Sequence, residues 1–83
     1  MNTSITTTNV TAESLVSLIG TYDDIDAHDV EKITGSRDHI ITIINSTNIN
    51  GYHAADIEVT EPIDTETLNI FNASTSGSVT VKI

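Results

Sequence analysis

Cysteine and tryptophan are absent from this 83-residue chain, and proline occurs only once. Without cysteine there can be no disulfide, no thiolate metal site and no cysteine nucleophile. Aromatic residues are limited to one Phe and two Tyr, so the core must be thin and built mainly from Ile, Val and Leu. No large aromatic-lined pocket, and hence no small-molecule substrate, is expected. The length predicts a single domain over residues 1–83.

Basic residues are equally scarce, with three Lys and Arg against 12 Asp and Glu and a formal net charge of −9. Such a chain repels phosphate backbones and anionic lipids, so nucleic acid is not an expected partner. The sequence has no run of about 18 apolar residues, and no transmembrane segment or membrane insertion is expected. Residues 1–8 lack the basic start and apolar stretch of a signal peptide, so any export signal is expected outside this sequence.

Three helix starts recur along the chain, each with a side-chain oxygen suited to cap the first turn. These N-caps are Thr11, Ser36 and Asp64. An apolar residue follows each cap after four and after seven positions, which is one stripe at helical spacing. The six residues are Leu15 and Leu18, Ile40 and Ile43, and Leu68 and Phe71. The pattern predicts helices over residues 12–19, 37–44 and 65–71.

Short extended segments are predicted after each helix, at residues 25–27, 49–51 and 79–81. Alternating apolar and polar residues predict second strands at 27–34 and 54–60, and residues 4–8 are expected to form a strand before the first helix.

The fold class is therefore α/β, with about three tandem helix-strand-strand repeats of 25 to 28 residues stacked like a solenoid. The repeats are expected at about 10–34 and 35–60, with a partial third at about 62–83. An ordinary small α+β domain is the alternative.

The segment 40–44, Ile-Ile-Thr-Ile-Ile, has the β-branched content of a strand as much as of a helix. Its N-cap and its match to Leu15 and Leu18 favour a helix. A strand here would weaken the argument for stacked repeats.

The segment TLNIFNASTSGSV at 67–79, and IDA at 25–27 leading to ITGS at 33–36, resemble repeats of a known kind. These are the Thr/Ser/Ala-rich tandem repeats of very large secreted or cell-surface proteins of marine cyanobacteria and other bacteria. The similarity spans residues 10–83, although segment 40–44 is more apolar than the Ala-rich helices typical of such repeats. The resemblance implies a structural or adhesive role without catalytic residues.

One acidic stretch could hold a metal ion, since Ca²⁺ takes about six to eight oxygen ligands. The candidate calcium ligands are Asp23, Asp24, Asp26 and Asp29. The stretch matches neither an EF-hand loop nor the glycine-aspartate nonapeptide of calcium-binding β-helices. A solvated acidic turn is the alternative, and no other cofactor is expected.

The remaining polar residues favour no catalytic chemistry. Each histidine has an aspartate nearby in sequence, but no pair has metal-ligand spacing. These pairs are His28 with Asp29, His39 with Asp38, and His53 with Asp56. Ser36 is explained as a helix cap and lacks the G-x-S-x-G elbow of a nucleophile. The chain is therefore not expected to be an enzyme.

Two functions remain open. The first is a non-catalytic structural or adhesive repeat module of a secreted or cell-surface bacterial protein, whose partners are neighbouring repeats or further copies of itself. The second is a small acidic protein-binding domain, such as a phage or host regulator or a nucleic-acid mimic. The second would use an acidic surface formed by Asp23, Asp24, Asp26, Asp29, Glu58, Glu61, Asp64 and Glu66.

Overall fold

Helices alternate with pairs of short strands along the chain. The computed structural model describes residues 2–52 and 54–82, and within them three helices and seven strands. In chain order these are β1 (Asn2–Ser4), β2 (Asn9–Thr11), α1 (Ala12–Ile19), β3 (Asp24–Asp26), β4 (Lys32–Gly35), α2 (Arg37–Asn45), β5 (Ile49–Asn50), β6 (Asp56–Val59), α3 (Thr65–Ser74) and β7 (Val79–Val81).

The helices begin where the capping pattern predicts. Each cap residue has extended backbone, and its side-chain oxygen accepts a backbone N–H from the first turn. The acceptor-donor pairs are Thr11 Oγ1 with Ser14 N at 3.2 Å, Ser36 Oγ with His39 N at 3.5 Å, and Asp64 Oδ1 with Thr67 N at 2.9 Å. The segment 40–44 lies within α2, which confirms the helical interpretation.

All strand pairs are parallel, in two sheets with the orders β1-β3-β5 (sheet A) and β2-β4-β6-β7 (sheet B). Equivalent residues pair in register across each sheet, which aligns β-branched side chains on the inner face. In sheet B this inner row is Val10, Ile33, Ile57 and Val79, and in sheet A it is Thr3, Ile25 and Ile49.

Equivalent strand residues recur at a shorter interval along the chain than the helix caps do. Val10 pairs with Ile33 and Ile33 with Ile57, so equivalent positions in sheet B are 23 and 24 residues apart. The longer cap interval of 25 to 28 residues arises because the connection from strand to cap lengthens along the chain. Thr11 is itself a cap, whereas its partner Thr34 precedes the Ser36 cap by two residues.

Two strand predictions were wrong in their boundaries. Residues 5–8 connect β1 to β2 rather than forming one strand, because the chain passes from sheet A to sheet B here: Ile5 N–H donates to the Asp26 carbonyl at 2.8 Å, whereas the Thr8 carbonyl accepts from Lys32 N–H at 3.0 Å. The predicted strand 27–34 begins only at Lys32, because residues 27–30 form a turn in which Val30 N–H donates to the Ala27 carbonyl at 3.1 Å.

The predicted equivalence of segment 79–81 with 25–27 and 49–51 was also wrong. Strand β7 pairs with β6 in sheet B, whereas β3 and β5 belong to sheet A. Hydrogen bonds anchor the turn before β7 to the start of β6: the Thr75 hydroxyl donates to the Ala55 carbonyl, and Ser78 N–H donates to Asp56 Oδ1 at 2.8 Å. They direct the chain to β6 instead of β5.

The core is mainly aliphatic, as expected, and Phe71 and Tyr52 are its buried aromatic residues. Its largest fully buried side chains are Phe71, Leu15, Ile25, Ile33, Ile40, Ile43 and Val59. The predicted helix stripe is buried less completely at Leu18 and Leu68. In α3, Thr67 is 4 % exposed, and its hydroxyl accepts from Arg37 Nε at 3.5 Å.

The chain is thus a small α/β protein with three helices and two parallel sheets, which confirms the predicted class. This architecture fits stacked repeats and a small α+β domain equally well.

The contact between β4 and α1 generates a stability prediction. A Cβ added at Gly35 would overlap the Cβ of the fully buried Ala12, whereas at Gly20 it would approach nothing closer than 3.8 Å. Gly35→Ala should therefore lower the free energy of unfolding by about 1 to 3 kcal/mol through overpacking. Gly20→Ala is the matched control and should leave it unchanged or raise it by about 0.4 to 1 kcal/mol.

Urea unfolding followed by circular dichroism measures both variants. Equal midpoints for Gly35→Ala and the unsubstituted protein would contradict the packing of α1 against β4.

Candidate functional site

The acidic stretch predicted as a calcium site lies on and after β3. Strand alternation points Ile25 into the core, where it is fully buried, and places Asp24 and Asp26 on the outer face. Asp23 precedes the strand, and Asp29 lies in the turn that leads to β4. The aspartates therefore do not all share one face of one element.

His28 is the centre of this stretch. Its Nδ1 lies 2.6 Å from Asp26 Oδ1, and its Nε2 lies 3.2 Å from Asp29 Oδ1. Asp26 Oδ1 also accepts the backbone N–H of His28 at 3.1 Å. Both ring nitrogens can donate only when the imidazole is protonated, so the arrangement favours a cationic His28 between two carboxylates.

Sequence reasoning identified Asp29 as the neighbour of His28 but missed the shorter contact to Asp26. The available signal was the two-residue spacing: an aspartate commonly accepts the backbone N–H two positions ahead.

The contact between His28 and Asp26 shifts the pKa of both residues. The hydrogen bond from the His28 ring holds the pKa of Asp26 below its usual value of 3.8, with a further contribution from the His28 backbone N–H. The same side-chain hydrogen bond raises the pKa of His28 above 6.5, and the charges of Asp26 and Asp29 add to the effect. Both side chains are largely solvent-exposed, so the pair is a surface feature.

The candidate calcium ligands are engaged with protein groups. Asp26 and Asp29 contact His28, and Asp24 Oδ1 accepts from Asn50 Nδ2 on β5 at 3.2 Å. Among residues 2–52 and 54–82, no group of three or more His, Asp or Glu side chains is placed to hold a metal ion. The calcium site therefore stays a prediction, and Ca²⁺ would have to compete with His28 for Asp26.

Of the other two histidines, the structure describes only His39. His39 lies in the first turn of α2 and donates its backbone N–H to Ser36, which confirms Ser36 as the helix cap. His53 lies outside the described residues.

The outer face of sheet B carries the second polar group. Glu58 Oε2 lies 3.7 Å from Lys32 Nζ and 3.4 Å from the Thr34 hydroxyl, so one carboxylate on β6 contacts two side chains on β4. Beside it, Glu58, Thr60, Thr80 and Lys82 line a shallow depression open to solvent. Exposed ion pairs of this kind contribute about 0 to 1 kcal/mol each, so this face is polar without being a strong anchor.

Comparison of the chain with protein-family models, with the curated proteins and with the solved structures finds no match in any of the three. Within the described part of the chain, no helix has the length and apolar character needed to cross a membrane. The class that the fold and its surface define is a small acidic α/β protein with polar outer sheet faces.

The contact between His28 and Asp26 predicts how the pKa of His28 changes when Asp26 is substituted. Asp26→Asn removes the charge and the strongest acceptor, so the pKa of His28 should fall toward 6.5 while Asp29 retains part of the shift. Nuclear magnetic resonance titration of the His28 ring measures it, and an unchanged pKa would contradict the contact. In a titration of the unsubstituted protein, millimolar Ca²⁺ should lower the pKa of His28 only if the ion binds the Asp26 carboxylate and displaces the His28 ring.

The same contact sets a pH window for stability. The raised pKa of His28 gives stabilisation that is complete below pH 6.5 and lost as the pH rises through the raised value. The lowered pKa of Asp26 gives stabilisation present above pH 3.8 and lost as the pH falls through the lowered value. His28→Gln should therefore reduce Tm most between these two pH values and little at pH 9, as measured by thermal melts.

Proposed function

We propose that this chain is a non-catalytic structural or adhesive repeat module of a secreted or cell-surface protein. The observation that carries the proposal is the parallel register of equivalent strands: Val10, Ile33 and Ile57 pair in turn at intervals of 23 and 24 residues. Each pair of strands is followed by a helix, so the same unit of two strands and one helix occurs three times.

Stacking of these units explains the shared core. One unit of two short strands and one helix of eight to ten residues cannot cover its own apolar face. Leu15 in α1, Ile40 in α2 and Phe71 in α3 are each buried in a single cluster with isoleucines of both sheets. A unit that depends on its neighbours in this way suits a solenoid-like array that provides length.

The surface suits an exported array. The outward positions of the strands carry Asn, Ser, Thr and charged residues, and the formal net charge of −9 keeps like copies apart along their sides. The likeness of segments 33–36 and 67–79 to the Thr/Ser-rich repeats of very large bacterial surface proteins adds to this argument. The expected partners are neighbouring repeats or further copies of the chain.

A second candidate function rests on the excess of acidic over basic side chains. Lys32 and Arg37, two of the three basic residues, lie within 4 Å of the carboxylates of Glu58 and Asp38. With 12 acidic residues against three basic ones the surface keeps a large negative charge, which is the surface a small acidic binding protein would offer to a basic partner.

Light scattering over a concentration series, with thermal melts of the same samples, separates the two functions. The repeat module should gain mass as the concentration rises, and its Tm should rise in parallel, because association stabilises the folded state. Poly-lysine serves as the basic probe. A monomer at every concentration that forms a tight, salt-sensitive complex with poly-lysine would contradict the module and support the acidic binding protein.

A further inference from the structure

The strands at the edges of both sheets carry no charged residue. The sequences are Asn-Thr-Ser in β1, Asn-Val-Thr in β2, Ile-Asn in β5 and Val-Thr-Val in β7. The three interior strands all carry charge: two aspartates in β3, Lys32 in β4, and Asp56 and Glu58 in β6. Edge strands are normally protected by charged side chains, so this distribution is the reverse of one that prevents pairing with another chain.

The two edges of sheet B present backbone groups to solvent. Lys32 N–H donates to the Thr8 carbonyl at 3.0 Å, so alternation turns the backbone groups of Asn9 and Thr11 away from β4. At the opposite edge, the Ser78 carbonyl accepts the backbone N–H of Ile57 at 2.8 Å, and the Lys82 N–H donates to the Val59 carbonyl at 3.0 Å.

This alternation turns the backbone groups of Val79 and Val81 away from β6. Each end of sheet B therefore has an uncharged strand ready to pair.

We propose that β7 of one copy pairs in parallel with β2 of a second copy, joining the two sheets B head to tail. The inference rests on the proposed function and names the surfaces that carry the association. Placing Val10 of the second copy opposite Val79 continues the inner row of β-branched residues. The same register places Thr11 opposite Thr80, and threonine pairs across strands are favourable.

The contact is confined to sheet B. Strand β7 extends sheet B by one strand, whereas sheet A ends at β5. When β2 of the second copy pairs with β7, its β1 lies one strand position, about 5 Å, too far away to pair with β5. Two copies that each carry a charge of −9 thus approach through two strands without acidic residues.

Two proline variants test the contact, because proline removes an edge N–H without removing a hydrogen bond of the fold. Asn9→Pro places a proline ring on the β2 edge, and Val79→Pro removes the Val79 N–H, which in this register faces the Asn9 carbonyl of the second copy. Each variant alone should lose at least about tenfold in self-association constant, measured by analytical ultracentrifugation. An equimolar mixture should form a dimer of one of each and nothing larger, because the β7 edge of Asn9→Pro still pairs with the β2 edge of Val79→Pro.

Circular dichroism melts check that both variants fold. Asn9→Glu and Thr80→Glu repeat the test with the backbone unchanged, since both side chains are exposed.

If Asn9→Pro dimerises alone as well as the unsubstituted chain, the contact joins two β7 strands and the proposal is overturned. Association unaffected by all four variants overturns the proposal while leaving the repeat module standing. An unsubstituted chain that stays monomeric overturns both.

Discussion

Parallel, in-register pairing of strands with a β-branched inner row is the constraint on which the rest of the structure depends. Ile33 lies between Val10 and Ile57, and Ile25 pairs with Ile49. A shift of one residue would turn these side chains to solvent and bring charged neighbours into the core. The aliphatic inner row therefore fixes the register of both sheets.

The surface chemistry follows from the same alternation. Because the inner positions are taken by Ile and Val, the carboxylates of β3 and β6 project outward, where their charge stays solvated. His28, which contacts Asp26 and Asp29, offsets part of this charge when it is protonated. The strands at the sheet edges are left without a charged residue.

The local elements could be predicted from the sequence, because their causes are local. A cap oxygen and an apolar residue four positions on are sufficient to locate all three helix starts, including that of α2 despite its β-branched segment 40–44. The predicted end of α3 at Phe71 was wrong: the helix continues to Ser74, since no glycine or proline stops it there.

The pairing of β7 could not be predicted, because it depends on contacts distant in sequence. The sequence pattern after α3 resembles the pattern after α1 and α2, yet Thr75 and Ser78 bind Ala55 and Asp56 and direct the strand to sheet B. The candidate site was predicted in composition but not in geometry. Its four aspartates lie close in sequence, but they are divided between β3 and the turn that follows it. His28 contacts two of them, Asp26 and Asp29.

Nuclear Overhauser contacts between backbone protons of neighbouring strands test the central claim most directly. The account expects one continuous series from Val10 through Ile33 and Ile57 to Val79, in the pattern of parallel strands, and a separate series joining Ile25 to Ile49. Contacts of Val79 with Ile49 instead of Ile57, or an antiparallel pattern in either sheet, would contradict it.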